Sequence, residues 1–302
     1  MKILIACIAS LMAFISLAQS PIIQTKSGRI AGLSNPETKV NKFLGIPFAK
    51  APIGDLRWKA PQAHDSWTGI LDTKSFSASP YQNKPAPFQY WSAEYLIPES
   101  PISEDCLYLN VWAPSQPKTK KAVFVYFYGG GFRSGGTACP IYDGESMAQQ
   151  DIVFVSINYR VGVFGFLAHP ELSAEATYKS SGNYAILDMI AGLKWVQANI
   201  AAFGGDPGRV TVFGQGDGSV KIAALMAMPV YVWMRLVSRR DDQRLRQPVD
   251  RHRAGIAADQ LRRPARNPRQ NVELELQPLG HGLDDEIEAL RQRIHIGNPR
   301  DP

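Results

Sequence analysis

The chain has 302 residues, of which 45% are hydrophobic, so it can form one large α/β domain or two smaller ones. Its net charge of +6 is uneven, because all fourteen Lys lie at or before Lys221 and fourteen of the nineteen Arg lie in residues 230–302. Eleven Asp and Glu residues are interspersed there, and the resulting charge of +3 argues against a nucleic-acid-binding arm. We interpret position 229/230 as a boundary between a domain, residues 19–229, and an Arg-rich, largely irregular segment of different origin.

Residues 1–18 have the pattern of a secretory signal peptide. Lys2 precedes an apolar run from Ile3 to Leu17, and Ser16-Leu17-Ala18 before Gln19 provides a small-x-small cleavage site. The alternative, an uncleaved membrane anchor, is disfavoured by the short apolar run. The pattern predicts export to a periplasm or to the outside of the cell, with no membrane association beyond the signal.

The first part of the domain predicts short strands and a long surface segment. Ile22–Thr25 and Arg29–Leu33 flank a Lys-Ser-Gly turn and predict a hairpin, and Phe43–Ala49 predicts a strand. A long stretch rich in Pro, Ser and aromatic residues follows. Five aromatic residues in it could line a gorge above a site, although loop anchoring is the commoner role: Tyr81, Phe88, Tyr90, Trp91 and Tyr95.

Strands and helices then alternate. Leu107–Trp112 alternates in polarity and predicts a strand, and Ala122–Tyr128 and Ile152–Asn158 are apolar enough for strands buried on both faces. Asn183–Ala202 predicts a helix, with six apolar residues on one face: Ile186, Leu187, Ile190, Leu193, Val196 and Ile200. This order predicts an α/β fold with a mostly parallel sheet.

The strand Arg209–Phe213 leads into Gly214-Gln215-Gly216-Asp217-Gly218 and then into an apolar stretch, Ile222–Met228, that can be helical. Strand, tight turn and helix are the parts of a nucleophile elbow, in which small residues flank the reactive side chain. Gly214 and Gly218 are these flanks, but Gly216 stands where the nucleophile should be. The alternatives are a plain strand-to-helix connection and a phosphate-binding loop.

A second glycine-rich turn, Gly129-Gly130-Gly131, follows the strand Ala122–Tyr128. Without Cβ atoms, such a loop can turn its N–H groups toward a site, as an oxyanion hole requires, and a flexible loop is the alternative. The sequence contains no metal-ligand spacing, and we expect no cofactor. Cys106 and Cys139 could form a disulfide only if the fold brings them together.

Six segments together resemble type-B carboxylesterases, the cholinesterase-like group of α/β-hydrolases, over residues 20–229. In chain order they are FAKAPIGDLRW (48–58), SEDCLYLNVW (103–112), FYGGGFRSG (127–135), INYRVGVFGFL (157–167), GNYAILDMIAGLKWVQANIAAFGGDP (182–207) and VTVFG (210–214). The resemblance implies the α/β-hydrolase fold and hydrolysis of a small-molecule carboxylic ester. It also implies a protein about twice this length. The sheet would then be truncated, and the elbow strand would lack neighbours on one side.

Carried over position by position, Gly130, Gly131 and the backbone of Asp217 match the oxyanion-hole positions of the family. Gly216 matches the nucleophile, because the family pattern is Gly-Glu-Ser-Ala-Gly and this chain has Gly-Gln-Gly-Asp-Gly. The Asp217 carboxylate would also repel the charge that develops in an oxyanion hole. An aspartate nucleophile at this position is disfavoured, since that register would need a small residue where Gln215 stands.

The resemblance also has implications outside the elbow. The family's triad carboxylate and histidine would lie downstream, where the Arg-rich segment stands and where three histidines have no matching context: His252, His281 and His295. Cys106 matches a disulfide cysteine of the animal members, but the matching partner region has no cysteine, which implies a buried free thiol.

Three functions remain open at this point. The first is a carboxylesterase-like protein that is inactive because its nucleophile, triad histidine and acid are lost. The second is a non-catalytic cholinesterase-like binding or adhesion module. The third is a frameshifted or chimeric fragment without function, as the abrupt change from Lys to Arg would suggest.

Overall fold

The computed structural model describes residues 20–87 and 91–227. The predicted signal peptide, the aromatic residues Phe88 and Tyr90 and the Arg-rich segment lie outside the described residues, so the boundary at 229/230 stays a prediction. By its internal contacts the chain divides into two units, Met1–Thr177 with Ser181–Met226, and Tyr178–Ser180 with Ala227–Pro302. All eleven described strands belong to the first unit.

The secondary structure follows the order expected from the sequence. The strands are β1 (Ile22–Gln24), β2 (Arg29–Ala31), β3 (Leu33–Asn35), β4 (Val40–Pro47), β5 (Ile70–Asp72), β6 (Ser79–Pro80), β7 (Ile102–Ser103), β8 (Tyr108–Pro114), β9 (Lys121–Phe127), β10 (Val153–Ile157) and β11 (Gly205–Gly214). The α-helices are α1 (Glu145–Gln149), α2 (Gly162–Phe166), α3 (Pro170–Glu175), α4 (Tyr184–Asn199) and α5 (Asp217–Ala227). None of the described helices is long and apolar enough to cross a membrane.

Two sequence-predicted elements are present with small differences. β1 pairs antiparallel with β2, as the predicted hairpin requires, and β5 joins them in a three-stranded sheet. The helix predicted over Asn183–Ala202 is α-helical to Asn199 and continues as a 3₁₀ turn, Ile200–Phe203. It ends at Gly204, whose φ of +80° a side-chain-bearing residue would adopt only with strain.

Six strands form the central sheet in the order β11-β9-β10-β8-β4-β3. β9 pairs in parallel with both β10 and β11, whereas β8 pairs antiparallel with both β10 and β4. Parallel pairing, expected for most of the sheet, is thus confined to three strands of its described part. Parallel neighbours need a crossover connection, and the described α-helices all follow β9 in the chain.

Helices cover both faces of the sheet at β10, whose five residues are all buried. A Cβ at Gly144, just before α1, would lie 2.3 Å from the Phe154 ring, and one at Gly192 of α4 would lie 2.7 Å from Ile157. Because Phe154 and Ile157 are three residues apart on a strand, they point to opposite faces. Burial on both faces explains the continuous apolar sequence of β10.

Polar contacts fix the ends of β9 and β10. The Tyr128 and Tyr159 rings stack with their centroids 4.1 Å apart. The Tyr128 hydroxyl donates to the Tyr159 carbonyl at 2.7 Å, and the Tyr159 hydroxyl donates to the Tyr128 carbonyl. The next residue, Arg160, donates to both carboxylate oxygens of the fully buried Asp188 in α4, at 2.7 and 2.8 Å. The residue before the glycine loop and the chain just after β10 are therefore anchored to the core.

Candidate functional site

Position 216 lies at the tip of the turn between β11 and α5. Gly216 has a φ of +57°, in the left-handed region, and a Cβ built on it would meet no heavy atom within 4 Å. The backbone thus has the strand, turn and helix of the predicted elbow. A side chain at the tip would project into open space.

The two flanking glycines are required by packing. A Cβ at Gly214 would lie 2.8 Å from the Phe127 carbonyl oxygen, and a Cβ at Gly218 would lie 2.4 Å from the same atom. Any larger residue at either position would push the turn away from the end of β9. The small residues two positions before and after the tip therefore have the steric role that the sequence suggested.

A cavity of about 650 Å³ lies beside the tip and is bounded by the elbow and by residues 129–131. Gly130 has a φ of +108°, and a Cβ on it would lie only 2.1 Å from the Ser134 carbonyl oxygen. This conformation requires glycine. The cavity brings together the four residues predicted for the site, which are Gly130, Gly131, Gly216 and Asp217.

The Asp217 carboxylate binds the glycine loop directly. Gly131 N–H donates to Oδ1 at 2.8 Å, and Phe132 N–H donates to Oδ2 at 2.9 Å. Lys221 Nζ, one turn further along α5, also donates to Oδ2. The carboxylate therefore receives two backbone donors and one ammonium group.

Lys221 is 1% exposed, and its ammonium lies 4.2 Å from the centroid of the Phe132 ring and 5.3 Å from that of Tyr159. Burial lowers the pKa of Lys221, and the contact with Asp217 offsets part of that effect. Burial also opposes ionisation of Asp217, but the hydrogen bonds from Lys221, Gly131 and Phe132 outweigh it and lower the pKa of that carboxyl. The Asp217 carboxylate and the Lys221 amine nitrogen thus form an ion pair that is enclosed on the lysine side.

The position of this carboxylate changes what the glycine loop can do. An oxyanion hole needs N–H donors that are free to receive the charge developing on a substrate oxygen. Gly131 N–H already donates to Asp217, whereas Gly130 N–H has no hydrogen-bond partner among residues 20–87 and 91–227. The sequence led us to expect repulsion from Asp217, and the structure adds that its carboxylate uses one of the predicted donors.

The aromatic residues predicted to line a gorge separate into two groups. Trp91 and Tyr95 line the cavity at the elbow, and their ring centroids are 5.2 Å apart. Tyr81 is 54% exposed and lines a different cavity, next to Phe164. The wall that faces the tip is therefore partly aromatic, as a site for an apolar ligand would require.

In the described part of the chain, the tip of the elbow has no histidine beside it and no cluster of metal ligands. Neither His64 nor His169, the two histidines in that part, lines the cavity. No group of three or more His, Cys, Asp or Glu side chains there could hold a metal. Cys139 lines the cavity, and burial raises the pKa of its thiol to about 12. Cys106 is a buried free thiol, as the resemblance implied.

Sequence reasoning missed Lys221 as a residue of this site. The sequence feature that could have indicated it is the spacing of Asp217 and Lys221, an acid four residues before a lysine at the start of a helix. Such pairs are common on solvated helix faces, so the spacing alone does not indicate a buried ion pair. Only the approach of Phe132 and Tyr159 to the lysine shows that the pair is enclosed.

Residues 19–239 match the Carboxylesterase family. A fumonisin B1 esterase from Sphingopyxis macrogoltabida is 46% identical over 207 residues, which are 68% of this chain and 36% of that protein. A cholinesterase from Mus musculus is 44% identical over 213 residues, 69% of this chain and 34% of that protein. A para-nitrobenzyl esterase from Bacillus subtilis (strain 168) is 43% identical over 210 residues, with coverages of 69% and 40%.

Solved structures of esterases have the same fold. A PNB esterase superposes with a TM-score of 0.64 at 38% identity, covering 72% of this chain and 42% of that one. A carboxylesterase from Geobacillus stearothermophilus gives 0.60 at 39% identity, covering 70% and 41%. The fold is therefore that of the α/β-hydrolases. The chain spans 34–42% of the length of these relatives.

Proposed function

This chain belongs to the carboxylesterase family, and we propose that it binds a small carboxylic ester or a related molecule at the elbow cavity without hydrolysing it. In the serine mechanism a hydroxyl attacks the carbonyl, a histidine transfers the proton and backbone N–H groups stabilise the oxyanion. The proposal is that this chain keeps the elbow and the cavity but lacks the groups that carry out the reaction.

The observation that carries the proposal is the residue at the tip. Gly216 has no side-chain atom that could attack a carbonyl, and the space in front of it is open to the cavity. A serine would fit there, so crowding does not explain the glycine. Without a covalent nucleophile the family mechanism has no first step.

The contacts of Asp217 support the same conclusion. Its carboxylate places a negative charge next to the position where an ester oxygen would become negative. It is also poorly suited to act as the nucleophile itself, because Oδ1 is held by Gly131 and Oδ2 by Phe132 and Lys221. An attack would break contacts that stabilise the ionised form.

The location of the protein is part of the proposal. The signal predicted at residues 1–18 implies export, so the ligand would be met in a periplasm or outside the cell. Localisation of a tagged full-length chain, with and without these residues, tests this step. Retention of the full-length chain inside the cell would contradict it.

The test of the main proposal is hydrolysis of 4-nitrophenyl acetate and butyrate by the purified chain. We expect no rate above that of the heat-denatured protein. A rate that Asp217→Asn abolishes would instead identify an aspartate nucleophile. Equilibrium binding of the amide analogue 4-nitroacetanilide shows separately whether the cavity accepts a ligand, and absence of binding would contradict the binding function.

We also expect the variant Gly216→Ser to remain inactive, because no histidine in the described part lines the cavity to accept the proton. The φ of +57° should cost it about 1–2 kcal/mol of stability, which urea unfolding measures. A matched variant, Gly216→Ala, carries the same backbone strain without a hydroxyl. Turnover by Gly216→Ser that a serine-directed fluorophosphonate blocks, and that Gly216→Ala lacks, would overturn the prediction.

A further inference from the structure

We propose that the elbow cavity selects an organic anion, an aryl or alkyl carboxylate, over neutral or cationic molecules of the same shape. This inference rests on the proposed binding function and names the class of ligand for the same cavity. It follows from the charges on the wall, which do not cancel.

Among the described residues, the cavity wall carries two basic side chains, Lys84 and Arg133, and one carboxylate, Asp217. The single carboxylate among them is already satisfied, because Lys221 and two backbone N–H groups bind it. A cationic ligand would therefore have to compete with a buried ammonium group for Asp217. None of the other described residues on this wall has a carboxylate that could receive it.

The two cations on the wall have no such partners. Neither Lys84 nor Arg133 forms an ion pair with any of residues 20–87 and 91–227. Both side chains are exposed, so a ligand can reach them without displacing another group. The wall thus offers two positive charges to an anion.

The rest of the wall is apolar and aromatic. Trp91, Tyr95, Leu96 and Ile97 contribute to it. A ligand that matches the whole cavity therefore has an aromatic or aliphatic part and one anionic group. A carboxylate suits the Arg133 guanidinium in particular, because its two oxygens match two parallel N–H donors.

Three probes of similar size test the inference by calorimetry or Trp fluorescence: 3-phenylpropionate, 3-phenylpropionamide and 3-phenylpropylamine. We expect the anion to bind about five- to tenfold more tightly than the neutral amide, since partly exposed ion pairs contribute modestly, and the amine to bind more weakly than the amide. The preference should decline between 0.05 and 0.5 M NaCl, because salt screens charges at an open wall.

Substitutions test whether Lys84 and Arg133 cause the preference for the anion. Lys84→Gln with Arg133→Gln should remove the difference between anion and amide. The control pair Lys118→Gln with Arg29→Gln makes the same change in net charge away from the cavity and should leave the difference intact. Neither Lys118 nor Arg29 lines the cavity.

The outcomes separate the two proposals. The anion selectivity is overturned if the three probes bind equally, if the amine binds most tightly, or if the preference is unchanged in Lys84→Gln with Arg133→Gln. Binding of the amide without ester hydrolysis would still support the binding function. If no probe binds, the anion site is refuted as well. Ester hydrolysis by the unmodified chain contradicts only the proposed function, since the probes contain no ester.

Discussion

Arg160–Asp188 and Asp217–Lys221 are both ion pairs with a buried cation, but they lie in parts of the molecule with different roles. Asp188 is fully buried in α4 and accepts hydrogen bonds from the backbone and the guanidinium of Arg160, at the end of β10. Asp217 lies on the wall of a cavity and accepts from a loop that could otherwise bind a ligand. The Arg160–Asp188 pair therefore stabilises the core, whereas the Asp217 carboxylate occupies N–H donors of the glycine loop.

The two pairs also differ in their connections. The Arg160 guanidinium donates in addition to the Lys59 carbonyl at 2.9 Å, so it joins three parts of the chain. Lys221 has Asp217 as its ion-pair partner and otherwise contacts aromatic rings. A pair with several roles is hard to replace, whereas a pair enclosed by rings could be exchanged for apolar side chains. This difference can be tested by substitution.

The largest effect is expected for Asp188→Ala. It leaves the Arg160 charge buried without its carboxylate, which should cost about 3–5 kcal/mol of stability in urea unfolding. The control is Asp206→Ala, which removes the carboxylate of the more exposed pair with Arg209 and should cost less than about 1 kcal/mol. Equal losses in the two variants would show that burial of the pair does not determine its contribution.

A smaller loss is expected for Asp217→Ala, about 1–3 kcal/mol, because the cavity lets water reach part of the site. The double variant Asp217→Ala with Lys221→Met should recover more than half of it, since methionine packs well against Phe132 and Tyr159. The corresponding pair of changes, Asp188→Ala with Arg160→Met, should recover little, because the Lys59 carbonyl loses its donor. Recovery in both double variants would remove the distinction between the two pairs.

The smallest expected effect is on the stability of the folded chain at low pH. The pKa of the Asp217 carboxyl is lowered in the folded chain, so its contribution to stability is complete above its unfolded value of 3.8 and is lost as pH falls through the folded value. Between pH 5 and pH 3 the unmodified chain should therefore lose more stability than Asp217→Asn, which has no carboxyl to protonate there. Parallel pH dependences would show that the carboxylate gains nothing from its three donors.

The sequence predicted the parts of the fold that depend on local pattern. β9 and β10 were predicted because strands buried on both faces have continuous apolar runs, and the turn between β11 and α5 was predicted from the small residues that flank Gly216. Arg160 and Asp188 were not connected, since 28 residues separate them and the pairing depends on how α4 packs on the sheet. The partner of Asp217 was missed for a similar reason, because only the folded loop brings N–H groups to a carboxylate on another element.

The stacked pair of Tyr128 and Tyr159 has a consequence for substitutions at the elbow. The two rings tie the backbone just before the glycine loop to the end of β10 through contacts that do not involve Asp217. The residue that precedes the glycine loop is therefore held in place independently of the carboxylate that the loop binds. A substitution at Asp217 would leave this anchor of the loop intact, even though the N–H groups of Gly131 and Phe132 would lose their acceptor.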